Sequence, residues 1–316
     1  MPMAHAPSII THLKPTHWPC ARWRRHAGWF ARVLFIYCGL VVVTADALAE
    51  MTDNAPSVVS DLTAHNQEAD LTLKERVALR VAVASNFAPT LKALAPAFEA
   101  ESGHRLHISA ASSAKLFAQI QNGAPFDVFL SADTELPQRL IAGQRRDGLF
   151  SSELSSEPNN ELNSAPQAYA YGRLALWCRP ACPDTLNGIS QLLNSAPGVA
   201  VANPRLAPYG RATQEVLTAL KATPPRLITG ENIGQVYRFI ESGNVQTGFV
   251  AWSQVILGQL PDDEVWLVPA NFHRPIIQAA VLTPQCRYPQ AGHALLEFLR
   301  NASAQITLQG YDAPYE

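Results

Sequence analysis

The chain has 316 residues, 47% of them hydrophobic and 16% charged, with a formal charge of −2. That length exceeds what one hydrophobic core usually serves and points to two lobes of roughly 100–150 residues each, while the apolar content excludes a disordered polypeptide. Beyond residue 49, 19 basic residues stand against 25 acidic ones, a charge of −6. This balance argues against a nucleic-acid partner and offers an anion no global attraction.

Residues 1–49 follow the order of an export signal. The basic Arg22-Trp23-Arg24-Arg25 and Arg32 precede an apolar run from Val33 to Val43, and Ala47-Leu48-Ala49 supplies small residues before a cleavage point. The run spans 11 residues, short of the roughly 20 that cross a bilayer, so a cleaved signal peptide and a periplasmic protein are expected rather than a retained anchor. Residues 50–77 are polar and acidic without a period and read as a linker or disordered N-terminal segment.

From Leu79 strands and helices alternate. A strand over 79–84 ends in Ser85-Asn86 and opens a helix over 89–101 with Leu91, Leu94 and Phe98 on one face. A strand over 105–109 ends in Ser112-Ser113 and opens a helix over 114–121, with Leu116, Phe117 and Ile120 inward. A strand over 126–130 leads to a helix after Asp133, a suitable cap. A polar insertion follows to Pro166, then a long apolar strand from Tyr169 to Trp177. Further strands are expected over 199–203, 227–229, 247–251, 264–268 and 276–282, with helices over 211–221, 233–241 and 289–300. This alternation argues for an α/β protein with mostly parallel sheets. Lobe 1 is expected over 78–168 and 275–316 and lobe 2 over 169–274, and two crossings make a hinged cleft. Cys178 and Cys182 suit a small disulfide loop in an oxidising compartment. Zinc is the weaker reading for a C-x3-C pair without a second pair, and His104 and His107 lack acidic or cysteine partners. Cys286 is left as a buried free thiol.

Ligands of such sheets bind beyond the carboxyl ends of the strands. Ser85, Asn86, Ser112 and Ser113 fall there, at helix starts whose unpaired N–H groups and partial positive charge suit a small anion. In the second half, Asn203 to Arg211 and Gly230 to Gln235 also run from strand ends into helices. Neutral donors suit a fully ionised oxyanion, since every donor then finds an acceptor.

The stretches A-S-N-F at 84–87, S-S-A-K-L-F-A-Q-I-Q-N-G-A-P-F-D-V-F-L-S-A-D from 112, N-P-x-x-A-P-Y-G at 203–210 and E-N-I-G-Q at 231–235 resemble the periplasmic molybdate-binding proteins of molybdate ABC transporters. The resemblance implies a two-lobe periplasmic binding protein fold of type II with the ligand in the interlobe cleft. It implies that Ser85, Asn86 and Ser113 hold the oxyanion through N–H and side-chain groups, and that Tyr209 and Ile233 donate main-chain N–H from the other lobe. It further implies molybdate or tungstate as ligand, a membrane permease as partner, a monomer, no catalytic residue and no cofactor or bare metal ion. Family members with a tyrosine hydroxyl on the anion carry it after a G-x-V strand, where this chain has Ala251. Lys115, Arg205 and Arg211 read as solvated surface residues, and Tyr209 is alternatively a core or hinge residue. Sulfate, thiosulfate and phosphate would suit the same architecture. A serine hydrolase would need a histidine base and an orienting acid, and no G-x-S-x-G surrounds Ser85 or Ser113; a sensor with a borrowed binding domain is a third reading without a signalling segment to support it.

Overall fold

The computed structural model describes residues 76–146 and 165–314. The chain divides into Met1–Asp70 and Leu71–Glu316, and every described residue belongs to the second unit. The expected signal peptide, most of the expected linker and most of the polar insertion lie outside the described residues.

The first strands and helices are β1 (Ala78–Ala84), α1 (Ala88–Ser102), β2 (Arg105–Ala111), α2 (Ser113–Gln121), β3 (Val128–Ser131) and α3 (Glu135–Arg146). β4 (Gln167–Gly172) and β5 (Leu174–Cys178) follow, then α4 (Leu186–Ser195), β6 (Val199–Ala202), α5 (Pro208–Ala219), β7 (Leu227–Gly230) and α6 (Ile233–Glu241). The remainder is β8 (Thr247–Ala251), α7 (Trp252–Gly258), β9 (Val265–Leu267), β10 (Ile276–Leu282), α8 (Pro289–Asn301) and α9 (Ser303–Leu308).

Two five-stranded sheets result, ordered β2-β1-β3-β10-β4 and β7-β6-β8-β5-β9. In each, three strands run parallel and the fourth in order, β10 or β5, runs antiparallel to them. The first sheet is covered on both faces, and its sequence shows why. Along β1, Leu79, Val81 and Val83 join one core with α1 and α8, while Ala82 joins another with α2 and α3. Alternate strand residues point to opposite faces, so the consecutive apolar residues Val81 to Ala84 demand burial on both. The second sheet is built around Leu174, Trp177, Val199, Phe249 and Val250.

The stretch from Tyr169 to Trp177 is two strands and not one. β4 pairs with β10 in the first sheet, β5 lies between β8 and β9 in the second, and Arg173 alone joins them. Residues 169–172 therefore lie with the first sheet, later than the expected boundary. Tyr169 and Ala170 enter the core of the first sheet and Leu174 to Cys178 that of the second, so apolar residues on both sides of Gly172-Arg173 conceal the crossing. The second crossing falls between β9, in the second sheet, and β10, in the first. α4, α7 and α9 were not expected from the pattern; α4 is capped by the Thr185 hydroxyl, which accepts from the Gly188 N–H at 3.1 Å. Cys178 and Cys182 form a disulfide, and Cys286 is a half-buried thiol, not a fully buried one, which burial pushes up to about 11. His104 is buried and His107 exposed, so the two do not share a face.

Candidate oxyanion site

Four strand-to-helix junctions carry the expected residues, β1 to α1 and β2 to α2 on the first sheet and β6 to α5 and β7 to α6 on the second. They meet across the cleft. The Gly234 N–H donates to Ser85 Oγ at 3.4 Å, and the Ala114 N–H donates to the Leu206 carbonyl at 3.1 Å.

Each junction leaves a defined set of donors. The Ser85 N–H donates to the Ala111 carbonyl at 2.9 Å, so Ser85 brings its hydroxyl to the cleft and not its N–H. Asn86 is buried, and its Nδ2 donates to Gln278 Oε1 at 2.9 Å and to the Tyr311 hydroxyl at 3.3 Å. Its side chain is thus a strut, and the group it offers is the main-chain N–H. Ser113 opens α2, where the first N–H has no intrahelical acceptor. Its hydroxyl accepts from the Ala132 N–H at 3.0 Å and keeps its own proton to donate.

On the second sheet the sequence A-P-Y-G determines which donor is exposed. Pro208 occupies the first position of α5 and has no N–H. The Gly210 and Arg211 N–H groups donate to the Ala207 carbonyl at 2.9 and 3.3 Å, which leaves Tyr209 as the residue whose N–H faces outward from the helix start. Gly210 is needed here because a Cβ would overlap the Ala202 carbonyl oxygen and stand 2.8 Å from the Asn203 carbonyl carbon. The Tyr209 ring is buried and its hydroxyl accepts from Gln278 Nε2 at 3.4 Å. Ile233 opens α6 behind Asn232, whose side chain caps the Gln235 N–H at 3.0 Å; its side chain is core and its N–H is the first of the helix.

Two ion pairs flank these donors across the cleft. Arg211 meets Asp133 at 2.6 Å and Lys115 meets Glu231 at 3.0 Å. Arg211 is thus not simply a solvated surface residue, and Asp133, which caps α3 through the Leu136 N–H at 3.1 Å, also holds a cation. With both cations paired to carboxylates, the site offers dipoles rather than net charge. Arg205 is exposed.

Two buried glutamines brace these junctions. Gln278, buried in β10, also accepts from the Tyr169 hydroxyl at 3.2 Å, so one amide joins Asn86, Tyr169 and Tyr209. A glutamine within the apolar run Ile276–Leu282 was the available signal. Gln254 accepts from the Ala251 N–H at 2.9 Å and donates to the Ile233 carbonyl at 3.4 Å, tying the start of α7 to the start of α6. The signal for it was a glutamine three residues beyond a strand end, as in a capping box.

Two lobes of this topology, with helix starts converging between them, define a solute-capturing protein, and the chain belongs to the bacterial extracellular solute-binding protein family, whose model matches residues 79–311. Within that class it is similar to two proteins named molybdate-binding protein ModA. That of Azotobacter vinelandii is 34% identical over 238 residues, 74% of this chain and 88% of that protein. That of Rhodobacter capsulatus is 35% identical over 234 residues, 73% of this chain and 85% of that protein. The solved periplasmic molybdate-binding protein of Azotobacter vinelandii superimposes with a TM-score of 0.65 at 32% identity, covering 75% of this chain and all of that one.

Proposed function

We propose that this protein captures molybdate, and tungstate with it, by closing its lobes around the anion in the periplasm, and then delivers it to the permease of an ABC transporter. It acts as a non-enzymatic monomer and needs no cofactor. The observation that carries the reading is the convergence of neutral donors from both sheets, the hydroxyls of Ser85 and Ser113 and the main-chain N–H groups of Asn86, Ser113, Tyr209 and Ile233, with the neighbouring cations paired elsewhere. The names of the relatives support molybdate as the anion. A set composed of donors suits a fully ionised tetrahedral oxyanion, because a protonated one would bring a donor of its own and need an acceptor.

Isothermal titration of the purified protein with molybdate, tungstate, sulfate and phosphate tests this. Tight binding of the first two alone is expected. Heat from sulfate or phosphate in place of molybdate would keep the site and overturn the substrate, and silence toward all four would overturn the function.

A further inference from the structure

Ser112 stands at the N-cap of α2 with extended backbone angles of −68° and 148°, and its carbonyl accepts the first intrahelical bond from the Leu116 N–H at 3.1 Å. A serine in that position ordinarily caps the second or third N–H of its helix with its hydroxyl. Here it caps neither. The second N–H, that of Ala114, is taken by the Leu206 carbonyl from the other side of the cleft. The Ser112 hydroxyl is left buried and without a partner, in a residue only 2% exposed. Such an atom carries a desolvation cost that native structures rarely leave uncompensated. Its place is at the cleft: β1 and β2 pair in register to Ala84 and Ala111, which sets Ser112 abreast of Ser85, and Ser85 Oγ touches Gly234 of the opposite lobe.

We propose that Ser112 is a further ligand-binding residue whose hydroxyl donates to the oxyanion in the closed protein, and that closure itself releases it for this. In the open protein the Ser112 hydroxyl caps the Ala114 N–H. When the lobes close, the Leu206 carbonyl takes over that N–H, and the serine hydroxyl turns to the anion with its proton available. One N–H thereby exchanges an acceptor within its own lobe for one on the other lobe, and the ligand gains a donor that exists only in the closed state. Binding and closure are coupled through this exchange, since the ligand makes a contact in one state that it lacks in the other. The inference rests on the cleft's being an oxyanion site.

The test is titration of sodium molybdate into the wild type and into Ser112→Ala, Ser112→Gly and Ser112→Thr, with melting temperatures of the unliganded proteins. Glycine is a tolerated N-cap, so Ser112→Gly removes the hydroxyl while sparing the helix should the alanine variant fail to fold. Loss of a hydrogen bond to an anion should weaken molybdate binding roughly ten- to hundredfold in the alanine and glycine variants, with the threonine variant within about threefold of wild type. Alanine and glycine variants that bind as wild type does, whatever their melting temperature, would reduce Ser112 to an ordinary cap and overturn the proposal. A wild type that ignores molybdate would overturn the oxyanion reading itself, and this inference with it.

Discussion

Gln278 is the residue on which the back of the cleft depends. It is fully buried, and its amide oxygen accepts from Asn86 and Tyr169 while its nitrogen donates to Tyr209. Leucine has nearly the same volume and none of these bonds, so Gln278→Leu leaves a buried amide and two hydroxyls short of a partner. Each such group costs about 1–3 kcal/mol, and members of a shared network do not add independently. A loss of about 2–4 kcal/mol in urea unfolding is expected, together with weaker molybdate binding as Asn86 loses its anchor. Unchanged stability would mean that the network is relaxed or hydrated in solution. Gly172 belongs to the same arrangement, because a Cβ there would overlap the Tyr209 hydroxyl.

At the scale of elements, the site is made of helix starts, and the strength of a helix start is its unpaired N–H groups. α2 and α5 are also tied directly to the opposite lobe, α2 through Lys115 to Glu231 and α5 through Arg211 to Asp133. The second pair is the better shielded, its carboxylate side chain 12% exposed and its guanidinium 36%. Contacts that exist only between lobes add to the free energy of closure and hence to ligand affinity. Asp133→Asn keeps the cap on α3, since asparagine caps as well as aspartate, but removes the charge. Molybdate affinity is expected to fall roughly three- to tenfold in Asp133→Asn and in Arg211→Gln, and no further in the double variant. Independent, additive losses in the two variants would dismiss the pair as a latch.

For the whole molecule, the three buried tyrosines beside Gln278 determine the behaviour at high pH. Burial pushes Tyr169, Tyr209 and Tyr311 up, the last to about 12, with their mutual proximity adding to the shift in Tyr169 and Tyr209. An unfolded tyrosine ionises near pH ~10, so above that pH the unfolded chain loses protons that the folded one keeps. Their contribution to stability is complete below about pH 10 and is lost as pH rises toward about 12. Melting temperature should therefore hold level from neutrality to about pH 9 and fall steeply beyond about pH 10, and Tyr311→Phe should blunt that fall. A melting temperature that declines equally in the variant would place the alkaline transition elsewhere. The site donors do not titrate in the neutral range, so molybdate affinity should not follow this curve.

What the sequence by itself determined is local. Strands whose every position is apolar declare burial on both faces, and serine, asparagine, proline and glycine at strand ends declare helix starts, because side-chain alternation and capping act within a few residues. The four strand-to-helix junctions at Ser85-Asn86, Ser112-Ser113, Asn203 to Arg211 and Gly230 to Gln235 were legible for that reason, and the resemblance to molybdate-binding proteins singled out Ser85, Asn86, Ser113, Tyr209 and Ile233 within them. Which atom each residue has left to offer was decided by tertiary structure. The Ser85 N–H is taken by β2, the Asn86 amide by a glutamine 192 residues away, and the Ala114 N–H by a carbonyl of the other lobe. The same holds for the break at Arg173, the bond from Arg211 to Asp133 and the unpartnered Ser112 hydroxyl. A polar group's availability depends on every acceptor that folding brings near it, and residues far apart in the chain become neighbours only when the two sheets face each other.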